Sequence, residues 1–336
     1  MKAFVIRAPH QGAVEDVPKP KIEDNEVLLK VGACGICATD RHIFEGKFPV
    51  SYPLIPGHEL AGEVVEVGPK VRGISVGDRV TIDPNIPCNS CYFCRIGRKH
   101  FCENWEAIGV TRDGGYAEYV RVPYHVVYRM PSDMPFEIGA LTEPVACILH
   151  GIDVIEPVMG VDVAIFGMGP IGLMFIQLLR HMGASRIVAF EPVEFRREMA
   201  LRIGADYAVD PLTENPEEFV KEHISRYGVD VVVEASGSLR AIKDSLRIVK
   251  PTGRILLFGV PPKDAILEIK PFDIYRNEIT IAGSFTNPYT MYRAMEVLHE
   301  RIVTAEWIIT HKLSLDEVIR AIKGELKDVI KAVVVP

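Results

Sequence analysis

Cys88, Cys91, Cys94 and Cys102 stand close together, spaced Cys-x2-Cys-x2-Cys-x7-Cys. Thiolates at this spacing can wrap one zinc ion, because zinc accepts four sulfurs in a tetrahedron and a short loop can fold them around it. An iron–sulfur centre is the rival chemistry. The ferredoxin run has three residues before its fourth cysteine and a proline after it. Here seven intervene and Glu103 follows, which favours zinc. Four protein ligands leave no open position, so this zinc is structural. The chain has seven cysteines in all. An odd count at tight spacing, without an export signal, favours metal ligation over disulfides and points to the cytoplasm.

A second chemical pattern is Gly167-Met168-Gly169-Pro170-Ile171-Gly172. It follows an apolar run, Val161–Gly167, that reads as a strand, and it opens a run that reads as a helix, Pro170–Ala184. The first glycine permits a tight turn, the second lets backbone approach a pyrophosphate, and the third lets helix and strand pack closely. Free N–H groups at the helix start then bind the anion. Glu191 ends the next strand, where an acid meets the adenosine ribose hydroxyls. That acid favours NAD, since it repels a 2′-phosphate. Arg196 and Arg197 follow it and pull the other way, so NADP stays open. Their ordinary reading is a solvated helix face.

These motifs need elements to hold them. Residues 1–150 read as a β-rich catalytic domain, with short strand candidates between Gly and Pro turns and the cysteine lobe at 88–102. From 151 to 285 strands and helices alternate, the signature of a doubly wound parallel sheet of the Rossmann type. Residues 286–336 read as two helices and a final strand that return to the first domain. The fold class is therefore α/β with a second, β-rich domain. Hydrophobic residues make up 48% and charged residues 25%, which fits a globular chain and excludes disorder. A net charge of −7 argues against a nucleic-acid surface. No run of about 18 apolar residues lacks a charge or a turn signal, so no membrane span is expected.

Several further residues have an ordinary explanation singly and a chemical one together. Cys37 lies in Gly-Ile-Cys-Ala-Thr39-Asp40-Arg-His42, His58 and Glu59 in Pro-Gly-His-Glu-Leu-Ala-Gly, and Glu143 in Leu-Thr-Glu-Pro. A lone cysteine is usually a small buried apolar group, and Cys34 and Cys147 are read that way. In order along the chain, GICATDRH, GHELAGEVVEVG, the four-cysteine lobe, GGYAEY, TEP, GMGPIG and GVPP resemble the zinc-containing medium-chain alcohol dehydrogenase superfamily. The likeness spans nearly the whole chain. It is closest to the polyol branch of sorbitol-, xylitol- and arabitol-type dehydrogenases, on the His-Glu pair and the Glu143-Pro144 pair. Simple alcohol dehydrogenases usually have a cysteine where Glu143 stands. L-threonine 3-dehydrogenases share the glutamate and are the nearest rival. Sorbitol dehydrogenases have an arginine near position 286, where this chain has threonine.

The resemblance implies a GroES-like catalytic domain and two zinc ions per chain. Cys37 and His58 would bind the catalytic zinc, with Glu59 or Glu143 as the third protein position, directly or through water. Asp40 would orient His58 through its other ring nitrogen. Thr39 and His42 would carry the alcohol proton outward through the cofactor ribose. Gly259-Val260 and Gly283-Ser-Phe285 would hold the nicotinamide carboxamide, with Thr286 and Asn287 at the substrate end. The implied reaction is oxidation of a secondary alcohol, a polyol or its phosphate or sugar-acid relative, to a ketone by NAD or NADP. A silent nucleotide-binding protein on the same fold is the alternative from another class, and the intact Cys37, His58 and Glu143 set argues against it. The resemblance also implies a homodimer or homotetramer.

Overall fold

A computed structural model describes residues 1–336. The strand Glu26–Gly35 organises the first unit. It is rich in β-branched and other apolar residues, and Val27, Leu28, Leu29 and Val31 are buried. It pairs antiparallel with Glu59–Val67 and with Tyr119–Pro123. Arg79–Ile82 and Val127–Arg129 extend the sheet on one side, and Lys331–Val334 and Ile309–Leu313 on the other. A hairpin, Lys2–Ala8 with Gln11–Asp16, and a short pair, Asn85–Ile86 with Glu106–Ala107, complete the β structure.

Two registers in this sheet matter for chemistry. Gly35 pairs with Glu59, so the segments that carry Cys37 and His58 leave the sheet side by side. Val333 pairs with Gly35 and Val334 with Cys34, which brings Lys331 to the same place. No local pattern encodes either pairing.

The second unit is built on six parallel strands in the order Tyr207–Val209, Arg186–Phe190, Asp162–Phe166, Val229–Glu234, Val249–Leu257 and Thr280–Gly283. The order reverses between Asp162–Phe166 and Val229–Glu234, which is where such sheets bind ligands. The central strands are buried on both faces, so their sequences are apolar runs without alternation. The helix Pro170–His181 starts with proline in its first turn and ends before Gly183, whose φ is +88°. The α/β fold class expected from the sequence is the one observed.

The boundaries differ from the sequence reading in detail. The units are 1–146, 287–301 and 309–336 on one side, and 147–286 with 302–308 on the other. The stretch 302–308 stays with the second unit because Val303, Ala305 and Ile308 are buried and the Thr304 N–H donates to the Gln177 side chain. The helix that opens at Pro216 closes at His223. The second of the two helices expected in 286–336 is a single 3₁₀ turn, Leu315–Glu317, followed by the short helix Val318–Ile322. One helical stretch, 136–155, is long and apolar enough by length and composition to cross a membrane, but 72% of its apolar window is buried inside the protein. It is a core element.

Candidate active site

Cys37 caps the helix Ala38–Phe44, just past the end of the organising strand. His58 and Glu59 lie where the neighbouring strand begins. The Cys37 sulfur, one His58 ring nitrogen and one Glu59 carboxylate oxygen lie within 4.8 Å of one another. Thiolate, imidazole and carboxylate at that separation are a zinc donor set that leaves a position open. Glu143 is not in the trio. It sits in the first turn of the helix Thr142–Ile155, a position that favours a carboxylate by itself.

The surroundings are those of a cation site. Asp40 is fully buried, and its Oδ1 faces His58 Nδ1 at 3.5 Å. Neither atom has a hydrogen bond elsewhere, which leaves His58 Nε2 for a metal. Burial pulls the His58 pKa down, but Asp40 and then the Cys37 thiol raise it by more, well above its usual value. The negative charges that raise proton affinity also raise affinity for zinc. Glu59, only 2% exposed, is held from its other side by Lys331, itself 3% exposed. Lys331 Nζ donates to Glu59 Oε1 at 2.7 Å and to the Ile36 carbonyl at 2.9 Å. Burial lowers the Lys331 pKa, and Glu59, Cys37 and Asp40 together raise it by more. Removing one partner of such a pair strands a buried charge and costs ~3–5 kcal/mol.

Thr39 and His42 share one helix face at i, i+3. The Thr39 hydroxyl lies 3.7 Å from the Cys37 sulfur. His42 is half-buried, and no hydrogen bond joins its side chain directly to Thr39.

The four lobe cysteines also lie within 4.8 Å of one another. The Ser90 hydroxyl, the Ser90 N–H and the Cys91 N–H pull the Cys88 thiol down to about 5. Burial and the neighbouring thiols push Cys94 up to about 12. Hydrogen-bond donors thus favour one thiolate while burial and neighbouring thiols disfavour another, and a divalent cation would relieve the crowding of four sulfurs at this separation. The lobe is tied to its unit by buried polar groups. Lys99 Nζ donates to the buried Asp83 at 2.8 Å, and Trp105 Nε1 to Asn85 at 2.9 Å. Asn85 in turn donates to Asn287 at 2.7 Å.

In the second unit the three glycines have distinct physical reasons. Gly167 has φ +90°. A Cβ on Gly172 would lie 1.9 Å from the Gly167 carbonyl oxygen. A Cβ on Gly169 would meet nothing within 4 Å. The protein itself makes no demand for glycine at 169, so the open space suits close approach of a ligand's phosphates. Pro170 and Ile171 open the helix beside it. Glu191 braces the loop. Its Oε2 accepts the Met168 N–H at 2.7 Å and its Oε1 the Val193 N–H at 3.0 Å. Arg197 is engaged with the Glu191 and Pro192 carbonyls at 2.9 and 2.7 Å, and Arg196 is half-buried nearby. Val260 and Phe285 are exposed.

Three residues at these sites escape a motif reading. Glu234, fully buried, accepts from the Gly237 N–H at 3.0 Å and from the Ser236 N–H at 2.8 Å and hydroxyl, which fixes the turn against Gly167. Lys331 was legible only as the one charge in a wholly apolar final strand. Tyr116 was legible only as part of GGYAEY.

Comparison with known proteins places the chain among zinc-binding dehydrogenases. Residues 23–132 match the family model of the alcohol dehydrogenase GroES-like domain, and residues 170–300 that of zinc-binding dehydrogenases. The chain is 37% identical to D-arabinitol dehydrogenase 1 of Uromyces fabae, over 94% of this chain and 91% of that one. It is 39% identical to L-threonine 3-dehydrogenase of Pyrococcus horikoshii, over 93% and 91%. Among solved structures, a zinc-binding dehydrogenase from Sinorhizobium meliloti bound to NADP is 39% identical, with a TM-score of 0.96 over 100% of this chain and 99% of that one.

Proposed function

This chain belongs to the zinc-containing medium-chain alcohol dehydrogenase superfamily, and from that premise we propose that it oxidises a secondary hydroxyl of a polyol to a ketone with NAD. Membership makes it a zinc-dependent, NAD(P)-linked oxidoreductase acting on alcohols. The observation that carries the mechanistic reading is the trio of Cys37, His58 and Glu59 within 4.8 Å. When bound, zinc supplies a Lewis acid and the nicotinamide supplies the hydride acceptor.

The chain's own residues do the rest. Asp40 holds the His58 ring in one orientation, and Lys331 holds the Glu59 carboxylate. The Thr39 hydroxyl, beside the Cys37 sulfur, takes the proton of the substrate hydroxyl as it gives up its own, and His42 on the same helix face, without a direct hydrogen bond to Thr39, delivers a proton to solvent. The glycine loop and Glu191 hold the dinucleotide, with Gly259, Val260 and Phe285 on the nicotinamide side. An acid at the end of the strand Arg186–Phe190 supports NAD over NADP. Arabinitol-dehydrogenase similarity supports a polyol. The second reading, an L-threonine 3-dehydrogenase, rests on a relative of slightly higher identity, 39% against 37%.

A homo-oligomer is part of the same reading. Thr280–Gly283 is an edge strand, and Phe272, Tyr275, Ile281 and Phe285 around it are exposed. Pairing by a second copy would cover both the edge and these side chains. Light scattering that gives a monomer mass at working concentration removes this part.

A dehydrogenase screen tests the whole. Polyols, sugar phosphates, sugar acids, L-threonine and simple secondary alcohols are each offered with NAD and with NADP. The expected result is highest kcat/KM on a polyol with NAD. Turnover confined to L-threonine establishes the second reading. No turnover of any alcohol by zinc-loaded, cofactor-binding protein makes it a silent relative.

A further inference from the structure

The run Gly114-Gly115-Tyr116 offers no metal donor, yet it packs against the loop that precedes His58 and against Asp40. Three backbone hydrogen bonds join it to the loop that delivers His58. Gly114 N–H donates to the Ile55 carbonyl at 2.7 Å, Gly115 N–H to Gly57 at 2.8 Å and Tyr116 N–H to Pro56 at 3.0 Å. Tyr116 is fully buried. Its ring leaves no room for a side chain at Gly57, where a Cβ would come within 2.8 Å of the ring. Gly57 has φ +98° and immediately precedes His58.

The hydroxyl completes the arrangement. Tyr116 O–H donates to Asp40 Oδ2 at 2.6 Å, with the Gly35 carbonyl at 3.1 Å. The Cys37 N–H donates to the same Oδ2 at 2.8 Å. Two donors on Oδ2 leave Oδ1 turned toward His58 Nδ1 with no competing partner. A carboxylate with one donor could rotate about its terminal bond, because such torsions are soft. With two donors it is fixed.

We propose that Tyr116 is a positioning residue for the metal trio, setting the rotation of Asp40 through its hydroxyl and the path of the His58 loop through its ring and backbone. This rests on the reading that Cys37, His58 and Glu59 hold the catalytic zinc. The effect reaches the metal through Asp40 and His58, so it falls on one zinc and spares the other.

The test follows zinc release to a chelator over time, with the lobe zinc of the same molecule as the internal reference. Wild type, Tyr116→Phe, Asp40→Asn, the double variant and His58→Ala are compared. Tyr116→Phe keeps the ring and the backbone bonds and removes one O–H. Groups behind a ligand typically contribute about 10–100-fold in metal affinity, so catalytic zinc should leave roughly 10-fold faster with lobe release unchanged. The double variant should release zinc no faster than Asp40→Asn alone, because Tyr116 acts through Asp40. Wild-type release from Tyr116→Phe overturns the proposal. Equal acceleration at both sites also overturns it, since that is general loosening. Independent, multiplying effects of the two substitutions remove the route through Asp40. If His58→Ala retains both zinc ions, the ligand reading itself has failed, whatever Tyr116→Phe does.

Discussion

In the lobe, all four thiols come from one stretch of chain, Cys88 to Cys102, and only backbone turns are needed to bring them together. The other trio takes Cys37 from the end of one strand and His58 and Glu59 from the start of another. It is braced by Asp40 on a helix, Tyr116 before a third strand and Lys331 on the last strand. On the proposed reading, the first cluster would supply all four ligands of its zinc, whereas the second would leave one position open for chemistry. A closed site serves the fold. An open one has to be held rigid by the fold.

That contrast predicts different failures. The largest belongs to His58→Ala. It should lose one zinc of two and lower kcat/KM by more than the ~10–100-fold typical of a residue behind a ligand. Metal analysis beside kinetics checks this, and full zinc content with near-normal turnover would end the assignment of the trio. Next comes the choice of carboxylate. Glu59→Gln should lose catalytic zinc and ~10²-fold in turnover, whereas Glu143→Gln should keep two zinc ions per chain. The reverse result would move the third ligand to Glu143.

His42→Ala should keep both zinc ions and lose about 10²-fold at most, since water can bypass a relay that ends in solvent. Its signature is a lost or shifted basic limb in the pH profile. A profile and rate equal to wild type would make His42 a bystander. The smallest effect on turnover is expected from Cys91→Ser, about twofold per folded molecule. Its cost appears as stability, with the lobe zinc lost and Tm lower by ~10 °C in a thermal melt. If turnover per folded molecule collapses while Tm holds, the lobe is part of the chemistry and the contrast between the sites is wrong.

Legibility follows the same division. The lobe could be read from spacing because its ligands are neighbours in sequence. The glycine loop could be read because a strand–turn–helix unit is local, and its glycines are required by φ at 167 and by contact at 172. The trio could be named only through a family resemblance, since nothing in the spacing between 37, 58 and 143 says which residues meet. Glu143 was an equal candidate in sequence, and the clustered trio holds Glu59 instead. Lys331, Tyr116 and Glu234 had no chemical pattern to mark them, because a buried lysine, a tyrosine in a glycine run and a strand-end glutamate are each common for structural reasons alone.

Residue spacing alone specifies the alternation of the second unit, the four-sulfur lobe and the glycine loop. Each depends on contacts within one turn, one loop or one β–α unit, where spacing is geometry. Long-range strand packing set the rest. Antiparallel register sets Gly35 opposite Glu59 and Val333 opposite Gly35, and so brings residues 37, 59 and 331 to one point. Register depends on how whole strands bury their apolar faces, and a slip of one residue would turn every side chain to the opposite face. The metal trio is therefore a property of the packed sheet.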